Sequence, residues 1–150
     1  KTHLEIERAD RSLSAEQFQM TIPMGDETEM LAVHMIEEIA RRNEYPNSAI
    51  NKIKTAVVEA CINAAEHSLS PDRKINIGVT ANRDRIRIAI ENRGVGVAIK
   101  QAAATEESTV RRGWGLTLIK NLMDELTFDQ LDDGTRLVMS KIIERAELLK

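Results

Sequence analysis

Four segments of the chain alternate apolar with polar residues, and they come as two closely spaced pairs. In the first pair, Lys74–Thr80 sets Ile75, Ile77 and Val79 on one face, and Arg85–Glu91 does the same with Ile86, Ile88 and Ile90. Asn82-Arg83-Asp84 between them reads as a hairpin loop. The second pair is Leu126–Leu131 and Thr135–Ile142, joined by the turn Asp132-Asp133-Gly134. Connections this short join antiparallel neighbours, because a parallel crossover needs a dozen or more residues. Arg85 and Arg87 occupy the outward positions, so one face of the sheet meets water and the other must be covered.

Helical periodicity supplies the cover. Phe18, Met20 and Ile22 alternate as a short first strand that Pro23 ends. Asp26 is the expected N-cap of a first helix, with Glu27 and Glu29 in its first turn. Met30, Leu31, Val33, His34, Ile36, Ile39 and Ala40 then recur at helical spacing to about Asn43, with His34 expected at the core edge. Tyr45-Pro46-Asn47 breaks the pattern, and Asn47 or Ser48 is the expected cap of a second helix reaching about Ser68. After the turn Ser70-Pro71-Asp72 and the first hairpin comes a stretch without clear period, Val97–Arg112, which reads as a lid or a disordered loop. Leu116, Ile119, Leu122 and Met123 mark a third helix. The order β-α-α-β-β-α-β-β predicts an α+β fold: a two-layer sandwich with a mostly antiparallel sheet and three helices on one face. The expected divisions are an arm over 1–17, one domain over 18–143 and a tail over 144–150.

Composition narrows the function classes. Aromatic residues make up only 3% of the chain, so the core must be aliphatic and the stacking platforms of single-strand binders are lacking. A net charge of −3 leaves no electrostatic footprint for nucleic acid. The single cysteine, Cys61, excludes an intramolecular disulfide and a Cys-based zinc site, and inside the second helix it reads as a buried, inert thiol. No apolar run is long enough to span a membrane and no signal-peptide pattern is present, so a cytoplasmic location is expected. The chain opens at Lys1 rather than Met, and a piece of a longer protein is expected.

The second helix carries the most informative stretch, Thr55–Ser68. Ile53, Val57, Ala60 and Ala64 share an apolar stripe, and Glu59, Asn63 and His67 follow one another at intervals of four along its flank. From spacing alone this line is either a solvated helix edge or a grip for a ligand or metal. Two glycine pairs add to it. Gly94-x-Gly96 follows a strand, where most such pairs are turns. Gly113-x-Gly115 precedes a helix, where glycines let backbone approach a phosphate and free N–H groups face an anion.

Taken together, EACINAAEH (Glu59–His67), ENRGVGV (Glu91–Val97), RGWGLTLIKNLMDEL (Arg112–Leu126) and DGTRLVMSK (Asp133–Lys141) resemble the GHKL ATPase family, the Bergerat fold. Within it they are most similar to the bacterial anti-sigma-factor serine kinases. The resemblance runs from about Phe18 to Ile143. It implies ATP and Mg²⁺ as cofactors. Asn63 matches the family's Mg²⁺-coordinating Asn and Glu59 its general base or nucleophile-orienting Glu. Gly94, Gly96, Gly113, Gly115 and Leu116 would flank the nucleotide, with Val97–Arg112 as lid, and Thr135 matches the strand Thr near the adenine. Arg111 or Arg112 would reach a phosphate or remain a solvated lid charge. His67 then reads as structural.

One position departs from the pattern. Where the family's first glycine box has an Asp that accepts a hydrogen bond from the adenine amino group, this chain has Asn92. An amide oxygen can accept the same bond without the charge that strengthens it. Glu91 cannot substitute, since consecutive strand residues face opposite sides. Asn92→Asp is therefore expected to tighten ATP binding.

The resemblance implies a serine kinase and anti-sigma factor that binds a sigma factor or analogous regulator and phosphorylates a Ser on a STAS-type antagonist. A homodimer is carried over as an expectation, with no nucleic-acid or membrane partner. Two alternatives stand: a weakly nucleotide-binding module that only sequesters its target, and the output domain of a larger sensor. The ATPase domain of a sensor histidine kinase is a third, less favoured alternative: His3 lies in a polar arm, not a long amphipathic helix, and the start at Lys1 keeps it open.

Overall fold

Alternation and helical periodicity produce the elements they predict. The computed structural model describes residues 15–25, 27–67, 72–93 and 116–144. The strands are β1 (Glu16–Pro23), β2 (Lys74–Ala81), β3 (Arg85–Arg93), β4 (Glu125–Leu131) and β5 (Gly134–Ile142). The helices are α1 (Glu29–Arg42), α2 (Asn47–His67) and α3, of which residues 116–122 are described. The sheet runs β1-β2-β3-β5-β4, and every pairing is antiparallel. Two hairpins, β2–β3 and β4–β5, therefore meet along β3 and β5, and β1 closes one edge.

The inward positions of the strands are β-branched or long aliphatic side chains, which fit a pleated, half-buried surface. Ile75, Ile77, Ile86, Ile88 and Met139 are fully buried against Ile36, Ile39, Ile53 and Val57 of α1 and α2 and Ile119 of α3. Each such side chain contributes about 1.5–3 kcal/mol of transfer free energy. Tyr45 is the aromatic member of this aliphatic core, and its hydroxyl donates to the carbonyls of Asn82 and Arg85 at 2.6 and 3.0 Å. This pins the α1–α2 connection to the first hairpin. The hairpin turn is itself held by Asn82, whose Oδ1 accepts from the backbone N–H groups of Asp84 and Arg85.

The helix ends differ in detail from the sequence reading. Thr28, not Asp26, stands at the N-cap of α1. Its hydroxyl donates to the Gly25 carbonyl at 3.0 Å and makes no cap to the helix. Asp26 itself lies outside the described residues. At the other end, Glu44 takes a left-handed conformation (φ 58°), and the Tyr45 N–H reaches the Ala40 carbonyl at 3.0 Å. This is a Schellman close with a glutamate where glycine is usual. The Pro46 carbonyl accepts the first bond of α2, from Ile50 N–H at 3.0 Å, so Asn47 is already one position inside the helix.

Three apolar or core-edge expectations on α1 fail. Met30 and Leu31 are 43% and 49% exposed, and His34 is exposed. The buried stripe is centred on Ile36, and at 100° per residue Met30, Leu31 and His34 lie roughly 120°, 140° and 160° around from it. The outward positions lie on the sheet face that carries no helix among the described residues. A polar groove of about 450 Å³ runs across it, lined by Gln19, Asn76, Gly78, Thr80 and Arg87 among others. No helix among the described residues is long and apolar enough to cross a membrane.

Candidate functional site

The site begins with how close α2 can come to the sheet. Its sheet-facing side is built from small residues, and Ala56 and Ala60 are 0% and 1% exposed. Cys61 is buried beside them, and burial, helped by the charge of Glu29, pushes its thiol up to about 12. A neutral, enclosed thiol is a packing group, as the sequence reading has it. Glu59 and Asn63 stand half-buried on the flank of this stripe, one turn apart. The side chain of His67 lies outside the described residues.

Asn63 has an unusual environment. Its Nδ2 is buried and has no hydrogen-bond partner among the described residues. A buried amide left without a partner costs about 1–3 kcal/mol, so such a group calls for a reason. The next residue on the helix supplies contact with the sheet: Asn92 Nδ2 donates to the Ala64 carbonyl at 3.4 Å. Asn92 is only 5% exposed at the end of β3. Its Oδ1 accepts a hydrogen bond from the Thr135 hydroxyl at 2.5 Å, and Thr135 is 6% exposed on β5. The register places Asn92 opposite Thr135, and Thr135 opposite Gln130 of β4. The Ala64 carbonyl, Asn92 and Thr135 thus form a continuous hydrogen-bonded path from helix to sheet, and Asn63 is the residue that precedes Ala64 on α2. Glu91 faces the other side, as alternation requires, and pairs with Arg136 Nε at 3.3 Å.

Gly134 makes this row possible. A Cβ there would collide with the Asn92 carbonyl oxygen and stand 2.9 Å from Arg93 Cα, so only glycine lets β5 approach β3 at this point. The sequence marks Gly134 as a turn residue; nothing local marks it as a spacer for Asn92. The Ala64 carbonyl was equally out of reach, because a backbone acceptor has no sequence signature.

The structure thus joins Asn92 and Thr135 directly and ties them to the α2 turn that carries Asn63. Leu116 is half-buried and packs on the core at the first described turn of α3. Gly94, Gly96, Gly113 and Gly115, and the Val97–Arg112 stretch, lie outside the described residues. Among the described residues no three His, Cys, Asp or Glu side chains gather as a metal site. The donor chemistry of Asn63 is that of a single amide oxygen, which could contribute one ligand to a hard cation.

Comparison with known proteins agrees with this architecture. The sequence model of the histidine kinase-like ATPase domain matches residues 24–141. A serine-protein kinase RsbW from Halalkalibacterium halodurans is 28% identical over 142 residues, which cover 89% of this chain and 87% of that protein. An anti-sigma F factor from Bacillus velezensis is 30% identical over 108 residues, 67% of this chain and 74% of that one. Among solved structures, one containing the RsbU and RsbW domains of a Mycobacterium tuberculosis protein superposes with a TM-score of 0.67. Its sequence identity is 17%, over 86% of this chain and 33% of that one, so the likeness there is one of fold.

Proposed function

The chain belongs to the histidine kinase-like ATPase domain family, and from that premise we propose that it is an ATP-dependent protein serine kinase that also acts as an anti-sigma factor. Relatives named serine-protein kinase and anti-sigma F factor support the assignment. The observation that carries it is the buried Nδ2 of Asn63, without a hydrogen-bond partner among the described residues, next along α2 to the Ala64 carbonyl that Asn92 bonds. The helix that carries Asn63 is tied to the sheet one residue on, so its backbone is ordered before a ligand arrives.

In this reading Asn63 Oδ1 would hold Mg²⁺, which when bound would supply charge stabilisation for phosphoryl transfer. Glu59, one turn earlier, takes the proton from the substrate serine hydroxyl and aims that oxygen in line. Asn92 and Thr135 form the wall against the base, and Gly94, Gly96, Gly113, Gly115 and Leu116 flank the nucleotide. The working unit is residues 18–143, in the cytoplasm. The partners are a sigma factor or analogous regulator and a STAS-type antagonist that carries the target serine.

Calorimetry with Mg-ATP, followed by transfer of labelled phosphate to a candidate antagonist, tests the assignment. Asn63→Ala should abolish nucleotide binding. Glu59→Ala should preserve it and lower transfer by on the order of a hundredfold or more. Absence of ATP binding by the wild type at millimolar concentration would overturn the kinase reading. A second reading, a module that sequesters its target without catalysis, is favoured by one observation: Asn92 Oδ1 is already engaged by Thr135. Binding of Mg-ATP and partner without any transfer would select it.

A further inference from the structure

The position where the sequence departs from its family is the one that ties helix to sheet. Asn92 sits in the last inward position of β3, nearly closed to solvent, with a different partner at each end of its amide. The carbonyl of Ala64 can only accept, so the end facing it must be the donor Nδ2. The Thr135 hydroxyl then donates to Oδ1, and the orientation of the amide is fixed without ambiguity. Ala64 directly follows Asn63, so this bond holds the turn of α2 that carries Asn63 against the sheet.

We propose that Asn92 is a positioning residue whose amide, rather than a carboxylate, is required because it joins the Ala64 carbonyl to Thr135 and so fixes where α2 presents Asn63. The proposal rests on the nucleotide-site reading above. It reverses the expectation that Asn92→Asp would tighten binding. A carboxylate would keep the Thr135 bond, but it would set an anionic oxygen against a carbonyl oxygen about 3.4 Å away, acceptor facing acceptor, in a nearly dry site. A protonated carboxyl group carries one O–H and can replace the Nδ2 donor. Asp at this position therefore reproduces the amide only in its neutral form.

The surroundings permit that titration to be read. Among the described residues, the ionisable groups nearest Asn92 along the chain and across the register are Glu91 and Arg93 on β3, Arg136 on β5 and Asp129 on β4, with Glu59 and Cys61 on α2; Lys52, Lys54, Arg85, Arg87, Lys141 and Glu125 lie further along the same elements, and the side chains of Glu66 and His67 are outside the described residues. By strand alternation Glu91, Arg93, Arg136 and Asp129 belong to the opposite face, with Glu91 and Arg136 paired there. Cys61, pushed up to about 12, stays neutral throughout the working range. Glu59 is carried by α2, on the helix-covered face of the sheet to which Asn92 belongs. Burial and the opposed carbonyl both raise the folded-state pKa of an introduced Asp above its unfolded value of about 3.9. Stability is then fully present below the unfolded value and is lost as pH rises through the raised folded one. An amide does not titrate, so the wild type lacks this contribution.

The test compares wild type, Asn92→Asp and Asn92→Ala between pH 5 and 8 by thermal melting and by calorimetry with Mg-ATP. At each pH the variant is read against the wild type, which removes the titration of the nucleotide itself. The expected result is a melting temperature for Asn92→Asp near that of the wild type at pH 5 and well below it at pH 8. Its affinity for Mg-ATP should be weaker on the order of tenfold or more at pH 8 and recover towards wild type at pH 5. Asn92→Ala, which has no donor in any state, should be weakened alike at every pH. Equal or tighter binding by Asn92→Asp at pH 8, or a melting-temperature difference that is flat with pH, would overturn the proposal. If the wild type binds no Mg-ATP, the kinase reading falls, and the melting curves still decide the Asn92 tie.

Discussion

At Gly134 the room for a single methyl group decides whether two strands can meet. A side chain there would strike the Asn92 carbonyl and crowd Arg93 Cα, and both obstacles are backbone, which cannot turn aside. Gly134→Ala should push β5 away from β3, stretch the Thr135–Asn92 bond and lower stability by about 1–3 kcal/mol or more. Urea unfolding measures the loss, and Mg-ATP calorimetry shows whether the site is distorted with it. A substitution at Gly78 provides the contrast: a Cβ there meets nothing within 4 Å. Of the candidate site, the sequence marked the side chains with recognisable chemistry, Glu59, Asn63, Asn92 and Thr135. It did not yield what holds them, since the Ala64 carbonyl and the close approach at Gly134 arise only when α2, β3 and β5 are assembled.

Among the elements, α1 and α2 show where pattern reading holds and where it slips. The α2 stripe of Ile53, Val57 and Ala60 is buried as its spacing requires. On α1 the apolar character of Met30 and Leu31 suggested burial, but angular position, not hydropathy, decides which residues meet the sheet. The two helices pack side by side, and Lys54 Nζ of α2 reaches Glu37 Oε2 of α1 at 2.6 Å. The hydrogen bond from Lys54 holds the Glu37 carboxyl below its ordinary value, with burial opposing. A lowered folded-state pKa contributes stability above the unfolded value that is lost as pH falls through the folded one. Both groups are partly exposed, so solvent screens the pair and the effect is small. Glu37→Gln should melt slightly below the wild type at pH 7, and the two should converge as pH drops below 4. A constant offset down to pH 3 would show that the pair does not stabilise the seam.

Seen whole, the molecule has one aliphatic core that runs from α1 to β5, and Cys61 lies inside it. Its thiol should report the integrity of the entire layer. At pH 8 a disulfide reagent should modify native protein on the order of a thousandfold more slowly than protein unfolded in urea, because both the thiolate and the access are missing. Fast modification of native protein would mean that α2 opens on its own. The layered architecture and the two hairpins were legible from alternation alone. The strand order was not: local pattern shows which strands form hairpins, but not which edges of two hairpins join. That join has a consequence in time. Asn92 and Thr135 are separated by 43 positions in the chain, whereas β2 and β3 need only a tight turn to meet. During synthesis β3 therefore waits with a bare edge until the last hairpin emerges and docks. Contacts this distant form late, because loop closure must come before any pairing rewards it. The same logarithmic cost is lenient towards length, since doubling the intervening segment adds only about 0.6 kcal/mol. The chain between β3 and β5 can thus lengthen or shorten through evolution while the Asn92–Thr135 row stays in register.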